Sequence, residues 1–255
     1  MNYRYFKWTA LWVATLSVPL LNTGISVGQE IHVVSPGALQ DTDGNLSTPT
    51  PTVPFRLQWL YPASDFGFIP EGGAFIVGHS IRADKNQLTE ITNTFANSVF
   101  TLSTTSLNSL TANFNDNLGG DARVVFDGST SISYAVSGPP SGPNPFGGDV
   151  EYQTPFLYDP SLGNLLVQQV TTSGNDVPDS LKDWQTTVNA QFVSNIDPNS
   201  LTGQQQNRVI VTRFTIVPEP TTVALILFGT CAATIFIRNR RCCWTNQIRN
   251  GRLSA

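Results

Sequence analysis

The chain has 255 residues and a formal net charge of −4 at pH 7, from 14 basic and 18 acidic residues. Residues 29–217 hold 17 of the acids but only seven of the bases, so nucleic acid, which needs a basic surface, is excluded as a partner. None of the three cysteines lies in that segment, and its stability must therefore come from a hydrophobic core without disulfides.

The N-terminus has the pattern of an export signal. Arg4 and Lys7 precede an apolar stretch at residues 8–21, and a run of small residues ends at Gly28. This order of basic, apolar and small residues is what a signal peptidase recognises. We therefore predict a signal peptide at residues 1–28, removed after Gly28. The alternative is an uncleaved N-terminal anchor, which the shortness of the apolar stretch argues against.

Residues 29–54 are predicted to form a lead-in, because their alternating prolines favour an extended chain. Asp41, Asp43 and Asn45 place oxygen ligands at alternating positions, as at the opening of a calcium loop. Thr52 stands where an EF-hand requires a bidentate acid, so an EF-hand is excluded. A looser structural calcium site is the one cofactor considered. The simpler alternative is a turn held by local side-chain hydrogen bonds.

From residue 55 to 217, short runs rich in β-branched and aromatic residues recur between turn formers. Leu57, Trp59 and Tyr61 alternate with other residues and so share one face of the first run. The further predicted strands are residues 74–83, 99–103, 122–126, 131–136, 156–158, 165–170, 188–193 and 209–217. The best helical pattern is at residues 179–185. This series predicts an all-β ectodomain, an antiparallel β-sandwich of jelly-roll type.

The sequence offers little for catalysis. The only histidines are His32 and His79, and the chain has neither a zinc-protease motif nor a nucleophile elbow. Acid pairs such as Asp149 and Glu151 are the type used in glycoside cleavage, but an acidic domain contains such pairs without that role. We therefore predict that the protein is not an enzyme, and we keep a matrix-polymer hydrolase as an alternative.

Aromatic side chains on the surface would suit a sugar ligand, because flat rings stack on pyranose faces. Trp59, Phe66 and Phe68 are the candidates for a glycan-binding platform. Most aromatic residues of a β-sandwich lie in its core, which is the competing interpretation. A carbohydrate-binding module of an exopolysaccharide matrix is accordingly an alternative function.

The C-terminal region contains a short motif, an apolar run and a basic cluster, in that order. The motif is Val217, Pro218, Glu219 and Pro220, and the cluster is Arg238, Arg240 and Arg241. Residues 221–237 contain no charge and would cover roughly 25 Å as a helix, slightly less than the ~30 Å hydrocarbon core. We predict a transmembrane helix there, with the arginines as stop-transfer residues and residues 242–255 as a cytoplasmic tail.

Residues 218–241, together with Val217, resemble the PEP-CTERM sorting signal of exported proteins. The resemblance implies recognition by an exosortase, a membrane transpeptidase-like enzyme. The signal usually ends within a few residues of its arginines, whereas fourteen residues follow Arg241 here. Residues 154–166 also resemble a segment of uncharacterised β-rich PEP-CTERM ectodomains, which implies a fold and no chemistry.

The sequence thus predicts a protein exported across the inner membrane and processed by signal peptidase and an exosortase. It would be anchored, transiently or permanently, through residues 221–237 and would finally reside at the cell surface or in the extracellular matrix. Its role there would be structural or binding, with exopolysaccharide as a candidate partner.

Overall fold

The computed structural model describes residues 30–49, 54–136, 142–175 and 181–218. In these ranges thirteen strands form three sheets, and the paired strands run antiparallel. The all-β, antiparallel prediction is therefore confirmed, while the jelly-roll connectivity stays a prediction. No helix within the described ranges is long and apolar enough to cross a membrane. The transmembrane prediction for residues 221–237 falls outside those ranges.

The strands are divided among one four-stranded, one six-stranded and one three-stranded sheet. The four-stranded sheet has the order β1 (Ile31–Ser35), β13 (Thr212–Pro218), β4 (Ala74–Arg82), β7 (Phe146–Tyr158). The six-stranded sheet has the order β11 (Gln204–Gln206), β10 (Phe192–Asn195), β3 (Phe55–Tyr61), β8 (Asn164–Asn175), β5 (Ile91–Thr105), β6 (Arg123–Tyr134). The small sheet has the order β12 (Arg208–Ile210), β9 (Leu181–Thr186), β2 (Leu46–Pro49).

The two larger sheets pack face to face over one hydrophobic core. The rings of Tyr61 and Phe214, one from each sheet, meet edge to face at 5.1 Å. His79 and Phe100 cross the same interface at 5.0 Å. Leu57, Trp59 and Tyr61, which were predicted to share one face of β3, all lie in this core.

A second, smaller core covers the outer side of the six-stranded sheet. Leu60 points away from the main core and packs with Leu110 and Phe114 of the segment between β5 and β6. That segment contains the helix Phe114–Asn117, whose N-cap Asn113 accepts a hydrogen bond from the N–H of Asn115. Strand β3 is thus covered on both faces: Leu57 and Trp59 face the main core, while Leu60 and the buried Gln58, which donates to the carbonyl of Phe114, face the second.

A predicted helix and a predicted lead-in both differ from the structure. The helix predicted at residues 179–185 is wrong, because Leu181–Thr186 is strand β9, paired with β2 on one side and β12 on the other. Pairing on both edges outweighs the weak local helix pattern. The segment predicted as a lead-in supplies β1 and β2, so much of residues 29–54 is part of the folded domain.

Candidate functional site

A polar groove of about 350 Å³ runs across the outer face of the four-stranded sheet. Its charged side chains are Glu30, which precedes β1, Asp149 and Glu151 of β7, and Arg213 of β13, and His32 of β1 adds an imidazole. Asp149 and Glu151 are two residues apart on β7 and therefore point to the same side of the sheet.

Arg213 organises the charged groups of the groove. Its Nη2 donates to Asp149 Oδ1 at 3.2 Å, and its Nε donates to Ser80 Oγ at 3.1 Å. At the other side of the groove, 3.4 Å separates His32 Nδ1 from Thr215 Oγ1. These groups can hydrogen-bond to a polyol or pair with a charged ligand, which are the contacts that fix ligands in protein clefts.

The floor of the groove is backbone at Gly78. A Cβ atom there would lie 2.8 Å from the carbonyl oxygen of Val150, so a larger residue would push the neighbouring strand away. The pairing between β4 and β7 is also irregular on both sides of this position, between Ile76 and Gly78 and between His79 and Ile81. Bulges of this kind re-aim side chains next to binding sites.

His79 lies beneath the groove and faces the core. Its Nδ1 is 2.8 Å from the hydroxyl oxygen of Tyr152, and the side chain is almost fully buried. Burial lowers the pKa of His79 to about 4, although Asp149 acts in the opposite direction. The ring is therefore neutral at pH 7, and its contacts are those of a structural core residue.

A cluster of three carboxylates lies apart from the groove, where β2, β4 and β9 converge. One carboxylate oxygen from each of Asp43, Asp84 and Asp183 lies within 4.8 Å of the others. Arg82 and Lys85 supply positive charge: Arg82 Nε donates to Asp183 Oδ2 at 2.6 Å, and Lys85 Nζ is 3.5 Å from Asp43 Oδ2. The cluster is therefore partly neutralised by the protein itself.

Burial controls the ionisation of this cluster. It raises the pKa of Asp183 to about 6, against the opposing effect of Arg82. Burial and the neighbouring Asp84 likewise raise the pKa of Asp43, although Lys85 acts against them. Like charges held close together in a desolvated position favour the protonated acid, which accounts for both directions.

The residues predicted as calcium ligands are only partly brought together. Asp43 joins the carboxylate cluster, whereas the side chain of Asp41 is exposed. Asn45 Oδ1 accepts a hydrogen bond from the N–H of Thr186 at 2.8 Å. Asp43 Oδ1 accepts one from the N–H of Lys85 at 3.3 Å. These bonds tie the loop to β9 and to the turn after β4. Calcium binding at Asp41, Asp43 and Asn45 stays a prediction.

The three aromatic residues of the predicted glycan platform lie in different environments. Trp59 is in the core against Phe192, and Phe66 is fully buried against Tyr158. Their faces are covered, so neither can stack on a sugar in this fold. Phe68, with 47% of its surface exposed, is the member that remains available. Glycan binding itself stays a prediction.

The start of the sorting motif is built into the fold. Val217 and Pro218 are the last two residues of β13 and pair with Phe75 and Ala74 of β4. Glu219 and Pro220 lie outside the described residues, as do the predicted stop-transfer residues Arg238, Arg240 and Arg241.

Comparison with known proteins identifies this C-terminal segment. Residues 217–241 match the family described as the PEP-CTERM protein-sorting motif, which confirms the resemblance seen in the sequence. This motif implies an exported protein that is targeted to an exosortase and is anchored or processed at the membrane. No curated protein and no solved structure matches the chain.

Sequence reasoning missed the residues that complete both polar clusters. Asp84 and Asp183 lie far from Asp43 in the chain, and no motif spacing joins them. Arg213 was counted only as part of the last strand. The acids Asp149 and Glu151 were recognised as a pair, but only the sheet shows that they share a groove with it.

Proposed function

We propose that this protein is exported across the inner membrane after removal of residues 1–28 and is presented to an exosortase through residues 217–241. The apolar run at residues 221–237 holds it in the bilayer, with residues 242–255 in the cytoplasm. The β-sandwich then serves at the cell surface or in the extracellular matrix as a structural or binding component, without catalysis.

One observation carries this proposal: the sorting motif continues directly from β13, the last strand of the sandwich. The targeting signal therefore begins in the last strand of the folded domain. The acidic character of residues 29–217 is consistent with a soluble exported domain.

An epitope tag placed after Ala255 tests the proposal in a host that makes an exosortase. We expect the tag to be lost from the surface or released form, and a Glu219→Ala variant to keep it in the membrane fraction. A variant with Glu90→Ala, at an exposed position in the folded domain, is the matched control. A tag found on the periplasmic side, or full-length protein free in solution, would contradict the proposed topology.

Carbohydrate binding is a second candidate function, and the polar groove is the observation that favours it. Carboxylates and a guanidinium group arranged over a backbone floor supply hydrogen-bond partners for sugar hydroxyls. Binding of the purified domain to a glycan array should weaken in Glu151→Ala and persist in Glu90→Ala. Turnover of a polysaccharide by the same preparation would instead favour the hydrolase alternative.

A further inference from the structure

Strand register gathers several chain ends at one end of the four-stranded sheet. Pro218 pairs with Ala74, and Ala74 pairs with Tyr158. The end of β13 therefore lies beside the start of β4 and the end of β7. Ile31 at the start of β1 pairs with Ile216, so the described chain also begins here. We call this region the Pro218 end.

The Pro218 end carries exposed apolar side chains. Leu157 at the end of β7 is 44% exposed, Phe68 in the segment leading to β4 is 47% exposed, and Leu162 in the turn after β7 is 71% exposed. One exposed apolar residue is ordinary, and the three together give this end an apolar character.

Both segments that carry these side chains are folded tightly against the strand ends. The N–H of Gly73 donates to the carbonyl of Pro70 at 3.0 Å, and the N–H of Leu162 donates to the carbonyl of Asp159 at 3.1 Å. Phe66 stacks edge to face on Tyr158 at 5.1 Å and fixes the first segment to the second strand end. The exposed residues are thus held on a defined surface.

An apolar row connects this surface to the point where the chain leaves the fold. Val217 lies beside Phe75, and Phe75 lies beside Leu157, on the outer face of the sheet. Val217 and Phe75 are half-buried. The row therefore crosses three strands one residue before Pro218.

The length of chain beyond Pro218 decides what covers this end. Only three peptide steps separate Pro218 from Thr221, the first residue of the apolar run, and they span at most roughly 11 Å. The strand β4 alone is roughly 27 Å long. A domain attached so closely to a bilayer segment must bring its attached end to the headgroup region.

The charged residues at the Pro218 end indicate which kind of lipid surface it can contact. Glu30, Glu71 and Asp159 lie at the Pro218 end or in the segments that form it. These acids oppose contact with anionic lipids, and attraction to this end must therefore come from its apolar side chains. Aromatic and aliphatic side chains of this kind are favourable at the boundary between headgroups and acyl chains.

We propose that the Pro218 end lies on a zwitterionic phospholipid surface, with Phe68 and Leu162 in the interface. The inference depends on the membrane segment of the proposed function. It adds an orientation: the groove on the outer face of the sheet then opens sideways, parallel to the membrane, and Leu88 in the turn after β4 lies at the far end of the domain.

Site-directed fluorescence on the full-length chain in phosphatidylcholine nanodiscs tests this orientation. Cys231, Cys242 and Cys243 are replaced by alanine, and an environment-sensitive dye is attached through Phe68→Cys, Leu162→Cys or Leu88→Cys. Leu88 is the matched control, since it is 82% exposed and follows Arg82, at the opposite end of β4 from the Ala74 that pairs with Pro218. We expect blue-shifted emission and quenching by shallow nitroxide lipids at positions 68 and 162, and neither at position 88.

The possible results distinguish a wrong orientation of the domain from a wrong prediction of the membrane segment. Chain that enters the nanodiscs but gives three equally unquenched dyes overturns the orientation and leaves the proposed function standing. Chain that stays in the lipid-free fraction overturns both. A blue shift already present without lipid, and rising with protein concentration, assigns the surface to a second copy and overturns the proposal. Hydrogen exchange at residues 67–73 of the unsubstituted chain, which should slow in nanodiscs, gives a readout that needs no variant.

Discussion

Arg82 and Asp183 form a buried ion pair in which 2.6 Å separates Nε from Oδ2, and both side chains are shielded from solvent. The same guanidinium group donates to the carbonyl oxygens of Leu39 and Thr42. Arg82 therefore ties the loop before β2 to strand β9. This side chain thus adds to the strand pairing of β1 and β2 in holding the N-terminal segment in the domain.

Replacing Arg82 with methionine should destabilise the fold strongly. The change leaves the carboxylate of Asp183 buried without its partner, which typically costs about 3–5 kcal/mol of unfolding free energy. Urea denaturation of the purified domain measures the loss. The matched control is Asp149→Ala, which breaks the exposed pair with Arg213 and should cost no more than about 1 kcal/mol. Equal effects of the two substitutions would contradict the structural role of Arg82.

The pH dependence of stability should carry the signature of Asp183. Its folded pKa of about 6 lies above its ordinary value of 3.8. Between these values the folded state binds a proton that the unfolded chain does not, so this group's contribution to the unfolding free energy decreases as pH rises from 4 to 6. Denaturation across this range should show that Asp183→Asn removes this component. If the slope of the unfolding free energy against pH is the same in Asp183→Asn, the predicted contribution of Asp183 is wrong.

Protonation of His79 should change the unfolding free energy in the opposite direction over nearly the same pH range. Its folded pKa of about 4 lies below its ordinary value of 6.5, so the unfolded chain takes up a proton that the folded state refuses. The stability it contributes is fully present above pH 6.5 and is lost as pH falls. His79→Gln should therefore remove a component that rises with pH, and the exposed His32→Gln is the matched control. If neither substitution alters the pH profile, His79 is not buried as described.

A side chain at Gly44 should destabilise the fold. A Cβ atom there would collide with the carbonyl of Trp184 and with Asp183 Oδ1, and the N–H of Gly44 donates to that same oxygen at 2.8 Å. We expect Gly44→Ala to cost about 1–3 kcal/mol through forced displacement of β9. Gly120→Ala, which faces open space, should change the unfolding free energy by no more than about 0.5 kcal/mol.

Thermal unfolding in the presence of calcium can test the predicted calcium site. If Asp41, Asp43 and Asn45 hold the ion, millimolar calcium should raise the Tm, because a ligand that binds only the folded state stabilises it. Asp41→Asn should abolish the increase, since the exposed side chain of Asp41 is available to an ion. Asp116→Asn is the control. An unchanged Tm in calcium would leave the loop as a hydrogen-bonded turn.

The strand core was predictable because alternation is a local property. Leu57, Trp59 and Tyr61 were placed on one face from spacing alone, and all three lie in the main core. The strand limits were less accurate. Asp127-Gly128 falls between the predicted strands 122–126 and 131–136, and Gly147-Gly148 falls between 131–136 and 156–158, yet both pairs lie inside long strands near irregular pairings. A glycine at a bulge gives the same sequence signal as a glycine at a turn.

The polar sites were not predictable because they depend on contacts between distant segments. Asp43 comes from the loop before β2, Asp84 follows β4 and Asp183 is in β9, so only the sheet pairing brings them together. The same limit explains β9 itself. Its residues have no strong strand pattern, and pairing with β2 and β12 decides their conformation. The motif at residues 217–220 could be recognised from the sequence because its residues are consecutive in the chain.

The position of β13 inside its sheet has a mechanical consequence. This strand is bonded on one side to β1 and on the other to β4, and it is the strand that continues into the sorting motif. Tension applied through the C-terminal tether acts along the strand axis, across hydrogen bonds that run perpendicular to it. Both ladders therefore share the load in shear, which makes β13 a mechanically strong point of attachment.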